Sequence, residues 1–166
     1  MKLRLLLLTR CNRDCEGCCN KQWDLAALPQ VKTFIGYEQI LLTGGEPLLD
    51  PMKVIRTCVA IRQEAGYGFP IYLYTAWSKD IVRYLQVINS VEGIVLTLHQ
   101  RHDLDNFRRL QEWFRRHPHF AKMKSLRLNV FSEVGEDIHD DQWKVKNNVE
   151  WIENCPLPTD EVFMRL

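Results

Sequence analysis

The stretch Gln39-Ile-Leu-Leu-Thr-Gly-Gly-Glu-Pro-Leu-Leu-Asp-Pro51 decides the fold class of this chain. Gln39–Thr43 is a short apolar run, which is typical of a buried strand, and Gly44–Pro47 ends it with a turn. From Pro51 to Ala65 the apolar residues recur at helical spacing: Val54, Ile55, Cys58, Val59 and Ile61. A buried strand followed at once by an amphipathic helix is the repeating unit of a parallel α/β sheet.

The same unit recurs along the chain. Five further strands are predicted, at Lys2–Thr9, Ile71–Thr75, Ile94–His99, Ser125–Phe131 and Glu161–Leu166. Three further helices are predicted, at Lys79–Ile88, Leu104–Arg116 and Trp143–Glu153. Ser78 and Asp103 precede two of these helices and are predicted to cap them. Because no linker or repeat interrupts the pattern, we expect a single domain over residues 1–166.

Six parallel strands with right-handed crossovers predict an α/β fold in the form of an open partial (β/α)6 barrel, since closure of the common barrel takes eight strands. In such sheets the chemistry lies beyond the carboxyl ends of the strands. Five candidate positions fall there: Cys11, Gly44, Thr75, His99 and Phe131.

The charge balance argues against nucleic acid or a membrane as a partner. The chain has 22 basic and 21 acidic residues and a formal net charge of +1, so no strong field surrounds it. The apolar run Leu5–Leu8 is too short for a signal-peptide core or a membrane span. We therefore expect a cytoplasmic protein.

The cysteines cluster near the start of the chain. Three of the six fall within eight residues and Cys19 follows directly, a pattern that favours metal binding or catalysis over a disulfide scaffold. Cys58 lies on the apolar face of a predicted helix, where we expect core packing. Cys155 is isolated near a proline-rich turn, and neither it nor Cys19 is expected to be a metal ligand.

The spacing Cys11-x3-Cys15-x2-Cys18 places three thiols on one short loop after the first strand. Thiolates are the usual ligands of iron–sulfur clusters, and three of them would leave one iron of a cubane open. Zinc is the alternative, since it also takes cysteine. A zinc site would need a fourth ligand, for which Cys19, His99 and Cys155 are the remote candidates.

The cysteine loop after the first strand, followed by Gly-Gly-Glu-Pro at residues 44–47 after the second, resembles the radical S-adenosylmethionine (radical SAM) superfamily. The order and separation of the two motifs match that family. Weaker matches extend over most of the chain, at Tyr72–Thr75, Thr97–His99 and Arg127–Val130.

The resemblance implies a [4Fe–4S] cluster on Cys11, Cys15 and Cys18, with S-adenosylmethionine chelated at the open iron. It further implies reductive cleavage of S-adenosylmethionine to methionine and a 5′-deoxyadenosyl radical that abstracts hydrogen from a substrate. The residues expected to contact S-adenosylmethionine are Gly17, Gly44, Gly45, Glu46, Pro47, Thr75, Ser78, His99 and Asn129.

The string Gly17-Cys18-Cys19-Asn20-Lys21 resembles the activating proteins of anaerobic ribonucleotide reductase, which are similarly short, single-cluster members. That likeness implies a glycyl-radical enzyme as the partner and a one-electron reductant such as flavodoxin or ferredoxin. Two alternatives stay open within the superfamily: modification of a nucleoside or deazapurine precursor, and modification of a peptide. A non-catalytic electron-transfer or zinc-binding module is the alternative outside it.

Overall fold

The structure, a computed structural model, describes all residues 1–166 and contains one sheet of seven parallel strands. The strands are β1 Lys2–Leu6, β2 Gln39–Thr43, β3 Ile71–Thr75, β4 Gly93–Leu98, β5 Ser125–Phe131, β6 Lys144–Val149 and β7 Glu161–Arg165. Their order across the sheet is β6-β5-β4-β3-β2-β1-β7, and the two outer strands do not meet. The predicted α/β fold with parallel strands is confirmed, with seven strands in place of six.

The additional strand, β6, replaces a predicted helix. Trp143–Glu153 is not helical: Lys144–Val149 extends along β5, with Arg127 opposite Lys144 and Asn129 opposite Lys146. Exposed and half-buried residues alternate along β6, which is the period of a strand with one face toward solvent. Because one of the half-buried positions, Asn147, is polar, the alternation of apolar and polar residues that indicates a strand is incomplete in this segment.

Four α-helices connect the strands: α1 Pro51–Ala65, α2 Val82–Val87, α3 Asp103–Arg116 and α4 Pro118–Met123. The predicted bounds of α1 are confirmed, and Asp50 caps it by accepting from the Lys53 N–H.

Two predicted caps are wrong. α2 begins only at Val82, after Ser78, and Asp103 lies inside the first turn of α3 rather than before it. None of the helices could span a membrane.

The helices pack on one face of the sheet and form a core of 30 buried residues with it. Alternate strand residues such as Leu3, Ile40 and Leu73 face this core, and α1 contributes Cys58, which is fully buried as expected. The opposite face carries no helix. A small cluster of Leu6, Leu28 and Phe163 covers part of that face near β1 and β7.

Candidate functional site

Because every strand is parallel, all the carboxyl ends of the strands lie at one edge of the sheet. A mainly polar cavity of about 690 Å³ opens at this edge. It is lined by Asn12, Arg13, Asp14, Cys15, Glu16, Ser78, Lys79, His99, Gln100, His102, Glu133 and Trp151. The cavity therefore joins the cysteine loop to the segments that follow β3, β4, β5 and β6.

Of the predicted site residues, Cys15, Ser78 and His99 line this cavity. Gly44, Gly45 and Glu46, which follow β2, contact the backbone that leads into the cysteine loop. Thr75, at the end of β3, donates a hydrogen bond to Glu46. Asn129 lies within β5, opposite Thr97 of β4 and Lys146 of β6, and does not line the cavity.

The thiols of Cys11, Cys15 and Cys18 are all free. Burial is the main cause that raises the pKa values of Cys11 and Cys15, and the nearby Cys18 raises both further. This donor set fits an iron–sulfur cluster, in which each cysteine binds a different iron. No three His, Cys, Asp or Glu side chains gather closely enough to hold a single metal ion.

Gly44 and Gly45 form the contact between the turn after β2 and the start of the cysteine loop. Both have positive φ, +85° and +45° respectively. A Cβ on Gly45 would lie 2.0 Å from the Arg10 carbonyl oxygen, and one on Gly44 would lie 1.9 Å from a methyl of Leu6. Glycine is therefore required here for backbone packing, apart from any requirement of a ligand.

Glu46 is buried and joins the ends of β2 and β3. Its carboxylate accepts hydrogen bonds from the Leu48 N–H (2.9 Å), the Thr75 hydroxyl (2.7 Å) and the Ala76 N–H (2.8 Å). Burial raises the pKa of this carboxyl, against the effect of the hydrogen bonds. The polar groups of Glu46 and Thr75 thus hydrogen-bond to each other and to the backbone. They stabilise the ends of β2 and β3 rather than line the cavity.

Arg13 connects the cysteine loop to the ends of β3 and β4. Its guanidinium donates to the Ala76 carbonyl (2.8 Å) and to Ser78 Oγ (2.6 Å), and it forms an ion pair with Asp103. Asp103 is fully buried and also accepts from the backbone N–H groups of His99 (2.9 Å) and Gln100. The loop is therefore held by a buried charged network as well as by the glycine turn.

An aromatic stack forms one wall of the cavity. The His99 imidazole lies parallel to the Trp151 indole at 5.1 Å between centroids, and Phe131 contacts both rings. Burial and, secondarily, the positive charge of Arg13 lower the pKa of His99 to about 4, so the ring is neutral at physiological pH. Its Nδ1 is buried without a hydrogen-bond partner.

The segment that carries Trp151 is tied back to the cysteine loop. Cys19 and Cys155 form a disulfide across 136 residues of sequence, and Trp151 packs against Gly17. The expectation that the clustered thiols disfavour a disulfide is wrong for Cys19 and Cys155. Neither is then a zinc ligand, and the disulfide places Trp151 where the loop meets the cavity.

Three site residues were missed from the sequence: Arg13, Asp103 and Trp151. The sequence predicts Asp103 only as a helix cap and predicts no role for Arg13. A charged residue between two candidate ligands is the signal that could have found Arg13. Trp151 had no local signal, because the strand that positions it was itself predicted as a helix.

No protein-family model matches the chain, and no curated protein sequence matches it significantly.

Proposed function

We propose that the protein is a radical SAM enzyme with one [4Fe–4S] cluster on Cys11, Cys15 and Cys18. One observation carries the proposal: the two motifs behind the resemblance pack against each other. The Glu46 N–H donates to the Arg10 carbonyl at 3.0 Å, and Gly45 lies against the same carbonyl directly before Cys11. The motifs thus form one unit beside a polar cavity at the edge where parallel sheets hold ligands.

In this proposal the open sheet is a partial barrel around the site. A bound cluster supplies the electron for reductive cleavage of S-adenosylmethionine. The chain's own residues shape the cofactor site: Arg13 fixes the cysteine loop, and the neutral His99 ring forms part of the cavity wall. Trp151 packs against Gly17 and stacks on His99, so it closes the cavity where the cysteine loop ends.

The proposed substrate is a glycyl-radical partner protein, and the proposed donor is a one-electron reductant such as flavodoxin or ferredoxin. The support is the string Gly17–Lys21 and the absence of a helix from one face of the sheet, which leaves that side open to a macromolecule. Radical modification of a nucleoside, deazapurine precursor or peptide is the alternative.

Anaerobic reconstitution tests the cluster. About four irons and four sulfides per chain are expected, the content of one cubane. Cys11→Ala, Cys15→Ala and Cys18→Ala should each abolish stable iron binding, while Cys58→Ala, at a buried core thiol, should retain it. Stoichiometric zinc without iron after anaerobic purification would overturn the proposal.

Product analysis tests the reaction. The reconstituted protein with dithionite should convert S-adenosylmethionine to methionine and 5′-deoxyadenosine. A glycyl-radical partner should then acquire a stable protein radical detectable by electron paramagnetic resonance. Stimulation by a nucleoside, with deuterium exchange into 5′-deoxyadenosine, would support the small-molecule alternative. No 5′-deoxyadenosine with an intact cluster and bound cofactor would leave electron transfer as the function.

A further inference from the structure

The sheet face opposite the helices carries a group of aromatic and basic side chains. Tyr72 and Tyr74 lie on this face of β3, Arg127 on β5, and Lys144 and Lys146 on β6. The Arg127 guanidinium lies over the Tyr72 ring at 5.6 Å, and Arg127 is directly opposite Lys144 in the strand register. We call these five residues the basic face.

The charges of the basic face are not compensated within the chain. At the β1–β7 side of the sheet, the acidic partners are close: Arg4 pairs with Glu161 at 2.7 Å, and Lys2 pairs with Asp160 at 2.7 Å. Arg127, Lys144 and Lys146 form no ion pair and no hydrogen bond, and all three are exposed. The chain as a whole carries a net charge of only +1, so these three unpaired cations on neighbouring strands make this surface more positive than the rest of the chain.

Protection of a sheet edge explains only part of this pattern. Exposed lysines on an outer strand discourage pairing with other chains, and β6 is an outer strand. Arg127 does not fit that explanation, because β5 is an interior strand with neighbours on both sides. Its guanidinium is held over an aromatic ring, an arrangement that also recurs at protein interfaces.

We propose that the basic face docks an acidic segment of a partner protein. Two tyrosines and an arginine, flanked by lysines, match the composition of protein-binding hot spots and their charged rims. Exposed cations bind most favourably to a partner surface that carries carboxylates, because opposite charges across an interface attract. Nucleic acid is the less favoured occupant, because its binding domains are basic overall, whereas this chain has an isoelectric point near 7.6.

This inference does not rest on the proposed cluster chemistry, and its test needs no cluster. The probe is a fluorescein-labelled peptide of alternating glutamate and serine, and binding to the full chain is followed by fluorescence anisotropy. The double variant Lys144→Glu/Lys146→Glu should weaken binding about tenfold or more, and Arg127→Glu should weaken it similarly. Added salt should weaken binding to the unmodified chain.

The matched control is Lys32→Glu/Lys122→Glu, which makes the same change in net charge at exposed lysines away from the basic face. It should leave peptide affinity within about twofold. An equal loss in the control would overturn the proposal, since net charge would then explain binding. Circular dichroism confirms folding, and if Arg127→Glu does not fold, the lysine pair on the outer strand decides the outcome.

Two further outcomes would overturn the acidic segment as the occupant. Preference for a single-stranded oligonucleotide over a peptide of equal charge would assign the face to nucleic acid. Self-association by light scattering that the lysine variant abolishes would assign it to a second copy of the chain.

Discussion

Arg13 of the cysteine loop forms an ion pair with Asp103 at the start of α3, 90 residues away in sequence. The Asp103 side chain is fully buried, and that of Arg13 is 11% exposed. Burial alone would raise the pKa of Asp103, but the hydrogen bond and charge of Arg13, together with further hydrogen bonds, lower it. This contact makes the position of the cysteine loop depend on the ends of β3 and β4.

Arg13→Met should destabilise the fold by about 3–5 kcal/mol, because it leaves the Asp103 carboxylate buried without its counter-charge. The free energy of unfolding in urea measures this change. The control is Lys21→Met in the same loop, which removes the exposed ion pair with Asp14 and should leave stability unchanged. Equal effects of the two variants would show that the Arg13 pair does not hold the loop.

Gly45→Ala should cost about 2–4 kcal/mol, since a Cβ combines a left-handed backbone with a clash against the Arg10 carbonyl. Gly36 provides the matched control: its φ is +92° but no atom lies near its Cβ position, so Gly36→Ala should cost only about 1–2 kcal/mol of backbone strain. Thermal or urea unfolding compares the two. Similar losses would mean that the Arg10 contact contributes nothing.

Alkylation of the cluster-free, unreduced protein with iodoacetamide should modify Cys11, Cys15 and Cys18 and leave Cys58 unmodified, because that thiol is buried. Cys19 and Cys155 should react only after reduction. Since the thiolate is the nucleophile and the pKa values of Cys11 and Cys15 are raised, their labelling should accelerate as pH increases. Peptide mass spectrometry reads the sites, and labelling of Cys155 before reduction would contradict the disulfide.

His99 should make the fold less stable in acid. Its pKa is about 4 in the folded chain and near 6.5 when unfolded, so between these values only the unfolded state binds the proton. The free energy of unfolding should therefore fall by about 3 kcal/mol as the pH is lowered from 6.5 to about 4. His99→Gln should flatten this part of the stability profile. An NMR titration of His99 with a midpoint near 6.5 would contradict the prediction.

Prediction from sequence succeeded where a pattern is local. The helical spacing of Pro51–Ala65 repeats over four turns, so the bounds of α1 were predicted correctly. β6 was missed because its half-buried residues, including Asn147, are not uniformly apolar. An outer strand with one solvent face is defined by its pairing with a neighbour, and that pairing is not visible in a short window of sequence.

The six predicted strands, the helix α1 and the three-thiol loop followed from the chain alone, because each depends on residues within a few positions of one another. The return of β7 to pair with β1, the Arg13–Asp103 ion pair and the placing of Trp151 on Gly17 depended on the tertiary structure. These contacts join residues far apart in sequence. Their energies come from burial and charge pairing in the assembled sheet, and no local pattern encodes which distant residues will meet.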